Sequence, residues 1–153
     1  MFGHRFPVSE RKERRELDST PEYCSFLIVK TILVVDDELP ILELIRLALS
    51  TASCTILIAS SSDEAFQASR QYREEIHLLV TDIKMDPYMR GEELAQCMRQ
   101  LRPGIRVLYV SGFPLEGAAL AEVESGEADF LAKPFTVKDL LAKASPILEQ
   151  AAV

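Results

Sequence analysis

The chain has 153 residues and a formal net charge of −7, with 48% hydrophobic and 27% charged residues. This length suits one domain, and the composition excludes a wholly disordered chain. The acidic balance argues against direct nucleic-acid binding, which needs a basic face, and no apolar run reaches the ~18 residues that span a bilayer. Residues 1–30 hold six basic and five acidic side chains, so the acidity belongs to the remainder. Their mixed-charge run RKERRE, interrupted by Pro7 and Pro21, predicts a polar, flexible tail ahead of a domain over 31–150. Cys24, Cys54 and Cys97 form no CxxC pair, which points away from zinc or a disulfide framework and toward a reducing cytoplasm. The apolar stretch from Phe26 to Val35 is broken by Lys30 and has no small-residue cleavage site, so no signal peptide is expected.

From Thr31 onward the pattern is regular. Ile32–Val35 is a β-branched apolar run ended by Asp36 and Asp37, and it predicts a strand buried on both faces. Leu39, Ile41, Leu42, Ile45 and Leu49 recur at helical spacing, with Pro40 in the first turn, where proline is tolerated. Thr55–Ala59 predicts a second strand, and Ser61-Ser62-Asp63-Glu64 opens a helix running to about Arg73. His77–Asp82 predicts a third strand, Gly91–Leu101 a helix closed by Pro103-Gly104, and Ile105–Val110 a fourth strand ending at Ser111. Leu115–Ser125 predicts a weaker helix, Ala128–Ala132 a fifth strand ending at Lys133-Pro134, and Val137–Gln150 a last helix kinked at Pro146.

Five strands alternating with five helices predict an α/β, doubly wound parallel sheet with helices on both faces. In such sheets the carboxyl ends of the strands carry the ligand site. Asp36, Asp37, Asp82, Ser111 and Lys133 all fall at those ends and should converge on one rim. Crowded carboxylates raise one another's pKa unless a hard divalent cation accompanies them, and Mg²⁺ suits few carboxylates, water and a phosphate oxygen. A lysine and a hydroxyl facing the same spot would bind an anion. Together these groups suit phosphoryl transfer onto an aspartate.

The stretches ILVVDDE (Ile32–Glu38), VTDIKM (Val80–Met85) with a following M-x-G (Met89–Gly91), VLYVSGF (Val107–Phe113) and ADFLAKPF (Ala128–Phe135) resemble the receiver domain of two-component response regulators. The resemblance covers about residues 31–150. It implies a flavodoxin-like (βα)5 fold with strand order 2-1-3-4-5. It implies Asp82 as phosphoacceptor, and Asp36, Asp37, Asp82 and the main-chain carbonyl of Lys84 as Mg²⁺ ligands. Lys133 would pair with the phosphoryl group, Ser111 would hydrogen-bond it, and Phe130 would turn inward on activation. The Lys133–Pro134 bond is a candidate cis peptide. The run from Asp82 to Gly91 is one residue longer than the commonest receiver pattern, with Asp86 where proline is usual, and is similar to receivers of hybrid histidine kinases. Lys84 and Phe113 are candidates for setting the acyl-phosphate lifetime.

The expected protein is a stand-alone receiver without an output domain, not a turnover enzyme, although it supplies groups for its own phosphorylation and dephosphorylation. The resemblance implies as partners a sensor or hybrid histidine kinase, a histidine phosphotransfer protein, or both, and a downstream protein target. No membrane partner is expected, and the chain should be a monomer or weak homodimer. One rival is a pseudo-receiver, a phosphorylation-independent adaptor. Another is an aspartyl-phosphate phosphatase, but those usually separate two aspartates by one residue, unlike the adjacent Asp36-Asp37. His4, His77, Met85, Met89 and the cysteines read as ordinary tail, packing and thiol positions rather than ligands.

Overall fold

The structure, a computed structural model, describes residues 29–85 and 89–150. The tail expected over 1–30, with His4 and Cys24, therefore lies almost wholly outside the described residues, as does Asp86. Five strands form one parallel sheet: β1 (Thr31–Val35), β2 (Thr55–Ala59), β3 (Leu78–Asp82), β4 (Arg106–Ser111) and β5 (Asp129–Ala132). Their order is β2-β1-β3-β4-β5. Helices α1 (Leu39–Ser50), α2 (Ser62–Gln71), α3 (Gly91–Leu101), α4 (Gly117–Ser125) and α5 (Val137–Gln150) connect and follow them. Among the described residues no helix is long and apolar enough to cross a membrane.

The central strands are apolar on both faces because both faces are covered. Every residue of β1 and β3 is buried. Successive side chains point to opposite faces, so Ile32 and Val34 join one core with α1 and α5, while Leu33 and Val35 join another with α2, α3 and α4. Met85 is buried in the second core and Met89 packs against it. Helix starts follow local chemistry. Ser61 accepts the Glu64 N–H at 3.2 Å while Glu64 accepts the Ser60 N–H at 2.7 Å. At the start of α5, Thr136 and Asp139 exchange reciprocal side-chain caps at 3.1 and 2.9 Å, each filling a backbone donor that the first helical turn leaves open. Helix α5 continues through Pro146.

The differences from the expected bounds are small and have physical reasons. Helix α2 stops at Gln71, where Tyr72 turns to extended backbone. Arg102 then donates to the carbonyls of Ser69, Tyr72 and Glu74, satisfying acceptors at the helix's open end. Helix α4 begins at Gly117 rather than Leu115, because Gly117 takes a φ of 56°. β4 is shifted one residue toward Ser111, and β3 and β5 each start one residue later than expected.

His77, just before β3, is buried and accepts the Thr31 N–H on Nδ1 at 3.0 Å. Burial holds its pKa below the usual imidazole range, against the opposing pull of Glu75. A depressed imidazole pKa means that the unfolded chain binds the extra proton more readily, so acid favours unfolding. Wild type should therefore lose stability as pH falls below about 6.5, and His77→Gln, which takes up no proton, should lose less over the same interval. Denaturation midpoints at pH 7.5 and 5.5 check this.

Candidate functional site

The order β2-β1-β3 means that the chain leaves β1 and β3 in opposite directions, which opens a crevice at their carboxyl ends. Three strands deliver charge there. Asp36 follows β1, Asp82 ends β3 and Lys133 follows β5. Asp36 is fixed through its main chain, whose N–H donates to the Ala59 carbonyl at 3.2 Å. Lys133 is fixed likewise, its N–H donating to the Ser111 carbonyl at 2.9 Å. The Lys133–Pro134 peptide bond is cis.

The lysine ammonium is the hub of the site. Its Nζ lies 3.0 Å from Asp36 Oδ2, 3.1 Å from Asp82 Oδ2 and 3.4 Å from Glu38 Oε1. Asp36 and Asp82 are buried, whereas Asp37 and Glu38 are exposed. Burial raises the Asp36 carboxyl above its usual range, against the hydrogen bonds from Glu38 N–H and Lys133. Burial also works against the Lys133 charge, yet the Asp36 and Asp82 carboxylates hold its pKa above the ordinary value. The ammonium thus stays charged among carboxylates, its three donors shared among Asp36, Asp82 and Glu38.

One carboxylate oxygen from each of Asp36, Asp37, Glu38 and Asp82 lies within 4.8 Å of the others. An all-oxygen set of this kind fits a hard divalent cation such as Mg²⁺ better than a soft metal. Glu38 is the member that the sequence reading missed. Its N–H donates to Asp36 Oδ1 at 2.9 Å, and its carboxylate reaches Lys133. The signal was the third acid of the Asp36-Asp37-Glu38 run.

The remaining candidates ring this cluster. The Lys84 N–H donates to Asp82 Oδ1 at 3.3 Å. Lys84 Nζ sits 3.9 Å from the centroid of the exposed Phe113 ring, so a cation–π contact joins the loops after β3 and β4. Ser111 is buried, and its hydroxyl accepts the Phe113 N–H at 3.1 Å. Phe130 is half-buried against the α2–α3–α4 core. Its register partner on β4 is Tyr109.

Comparison with known proteins bears on this geometry. Residues 32–145 match the model of the response regulator receiver domain. The chain is 28% identical over 123 residues to the probable transcriptional regulatory protein TcrX of Mycobacterium tuberculosis, covering 80% of this chain and 51% of that protein. It is 30% identical over 124 residues to the sensor kinase CckA of Brucella abortus, covering 78% of this chain and 13% of that one. The chain thus spans about half the length, or less, of these curated relatives. Among solved structures, a CheY-like receiver domain protein from Methanospirillum hungatei superimposes with a TM-score of 0.71 at 28% identity, covering 81% of this chain and 97% of that one.

Proposed function

This chain belongs to the response regulator receiver family, and from that premise we propose that it accepts a phosphoryl group from a partner's phosphohistidine onto Asp82. The observation that carries the reading is the placement of Lys133 Nζ between Asp36 and Asp82, at 3.0 and 3.1 Å. The P–N bond of the phosphohistidine breaks as an Asp82 carboxylate oxygen forms the new P–O bond, and the imidazole leaves with the electron pair. Such a transfer asks the protein mainly to position groups and to stabilise charge. Lys133 faces the phosphoryl oxygens, and Ser111 turns its hydroxyl from the Phe113 amide to one of them. Asp36, Asp37, Asp82 and the Lys84 carbonyl would hold Mg²⁺, which when bound supplies positive charge against the transferring group. Phe130 fills the space that Ser111 vacates, which couples the charge to the face around α4, β5 and α5. Water later hydrolyses the acyl phosphate.

The partners of this reading are a histidine kinase, a histidine phosphotransfer protein, or both. One relative is itself a sensor kinase, which supports the similarity to hybrid-kinase receivers. Output runs through protein–protein contacts or onward phosphorelay. The test is intact mass after incubation with acetyl phosphate and Mg²⁺. Wild type should gain one phosphoryl adduct that is lost on mild base treatment, and Asp82→Ala should gain none. A folded wild type without an adduct, from either acetyl phosphate or a phosphohistidine donor, would favour the phosphorylation-independent adaptor instead.

We assign Lys84 and Phe113 to the acyl-phosphate lifetime: their cation–π contact joins the loops that follow Asp82 and Ser111, where it would limit the approach of water. Phe113→Ala and Lys84→Asn should each shorten the lifetime about two- to fivefold, the kinetic equivalent of one exposed cation–π contact. Decay of the adduct after removal of the donor measures this, and equal lifetimes in all three proteins would contradict it.

A further inference from the structure

Helix α4 is tied to the sheet through a carboxylate. Its buried positions are Ala119 and Glu122, whereas α5 buries Leu140, Ala144, Ile147 and Leu148. Glu122 Oε2 accepts the Tyr109 hydroxyl at 2.6 Å and the Arg99 guanidinium at 2.9 Å. One oxygen therefore joins α4 to β4 and to α3. Tyr109 is fully buried. Burial and the Glu122 carboxylate push its hydroxyl far above the usual phenol range, so it remains a donor. Both ends of the helix are glycines at positive φ, Gly117 at 56° and Gly126 at 83°. A Cβ at either would meet no atom within 4 Å, so backbone conformation rather than space calls for glycine there. A helix with two left-handed ends and a polar tether can shift as a unit.

The tether lies beside the residues to which the phosphoacceptor reading gives a switching role. Tyr109 pairs in register with Phe130 and shares a sheet face with Ser111, two residues along β4. In that reading Ser111 turns toward Asp82, and the space it would leave lies on the Tyr109 face of the sheet. A second, weaker electrostatic influence comes from another carboxylate. Glu92, in the first turn of α3, acts electrostatically on Tyr109, and its Oε2 is buried with no hydrogen-bond partner among the described residues.

We propose that Tyr109, Glu122 and Arg99 form a latch that holds α4 in the unphosphorylated arrangement and opens when Asp82 is phosphorylated. This rests on the phosphoacceptor reading. A ligand shifts such an equilibrium only by its differential affinity for the two arrangements. A weaker latch lowers the cost of opening, so it must both loosen α4 in the free protein and strengthen binding of a phosphoryl mimic.

The test uses the full chain, amide hydrogen exchange, and beryllofluoride with Mg²⁺ as the probe. In Tyr109→Phe, exchange over 117–125 should speed up at least about tenfold, the lower end for one hydrogen bond to a charged group, while β1 and α1 stay unchanged. Beryllofluoride should bind more tightly by a similar factor. Arg99→Met, at a partly exposed side chain, should move both readouts the same way and guards against misfolding of the first variant. Unchanged exchange over 117–125 in both variants would overturn the latch. So would faster exchange with equal or weaker beryllofluoride binding, because the triad would then be merely structural. Wild type that fails to bind beryllofluoride would instead sink the phosphoacceptor reading, and the latch as a phosphorylation device with it, whatever the exchange shows.

Discussion

Lys133→Met is expected to slow phosphoryl transfer onto Asp82 by about 100-fold, the usual cost of removing one preorganised charge-stabilising donor. The ammonium contacts Asp36, Asp82 and Glu38 at 3.0, 3.1 and 3.4 Å, and no other described cationic side chain makes an ion pair with that cluster. Methionine keeps much of the stem's packing and removes the charge. The same substitution should leave Mg²⁺ affinity intact or raise it, since a cation that competes for the carboxylates is gone. It should also push the Asp36 carboxyl further up, because Lys133 opposes the effect of burial there. Rate of adduct formation and Mg²⁺ titration, measured on the same samples, separate these effects. If both fell together the lysine would be holding the site's structure, and its role as charge stabiliser would be wrong.

The second large effect concerns a residue with no side chain. A Cβ on Gly91 would sit 2.1 Å from the Asp82 carbonyl oxygen and 2.9 Å from Ile83 Cα. The neighbours are backbone, so no rotamer change relieves the clash. Gly91 also donates its N–H to the Ile83 carbonyl at 2.9 Å, which draws the start of α3 against the end of β3. Gly91→Ala should therefore destabilise the fold by roughly 3 kcal/mol or more, an overpacking cost at its upper end, and displace the backbone that carries Asp82. Gly104→Ala is the matched control. Its Cβ would meet only the Glu75 carboxylate, at 3.8 Å, and stability should change by no more than about 0.5 kcal/mol. Urea denaturation of the two variants checks both. Equal midpoints for Gly91→Ala and wild type would show that the close approach is not a constraint.

The parts of this protein that were legible in its sequence are those where local pattern and global placement coincide. Asp36, Asp82, Ser111 and Lys133 each end or follow a strand that the sequence predicts, and a parallel sheet puts all such ends on one side. The two-sided burial of β1 and β3 followed from the same pattern, whereas the strand order, now seen as β2-β1-β3-β4-β5, was implied only by the family resemblance. Other features depend on distance in three dimensions. Glu38 reaches Lys133 across 95 positions of chain; the acid run marks it as a carboxylate near the site, but the contact itself is set by the fold. The Tyr109–Glu122–Arg99 cluster draws one residue from each of three elements. The sequence reading singled out none of the three, because their contacts depend on how α3 and α4 pack against β4. The Gly91 contact was visible only as a letter in M-x-G, because the approach to Asp82 is set by how α3 docks. The start of α4 was misplaced because Leu115 continues the apolar spacing while the chain turns at Gly117.

The most direct test of the central claim locates the phosphoryl group chemically. An acyl phosphate is reduced by borohydride to an alcohol, which converts a phosphorylated aspartate into homoserine, while free carboxylates are untouched. Wild-type protein treated with acetyl phosphate and Mg²⁺, reduced, digested and sequenced by mass spectrometry should carry homoserine at position 82. It should carry none at Asp36 or Asp37, and none anywhere when Mg²⁺ is omitted. Homoserine at Asp36 or Asp37 with position 82 unchanged would contradict the account, because the acceptor would then lie on the β1 side of the crevice rather than at the end of β3.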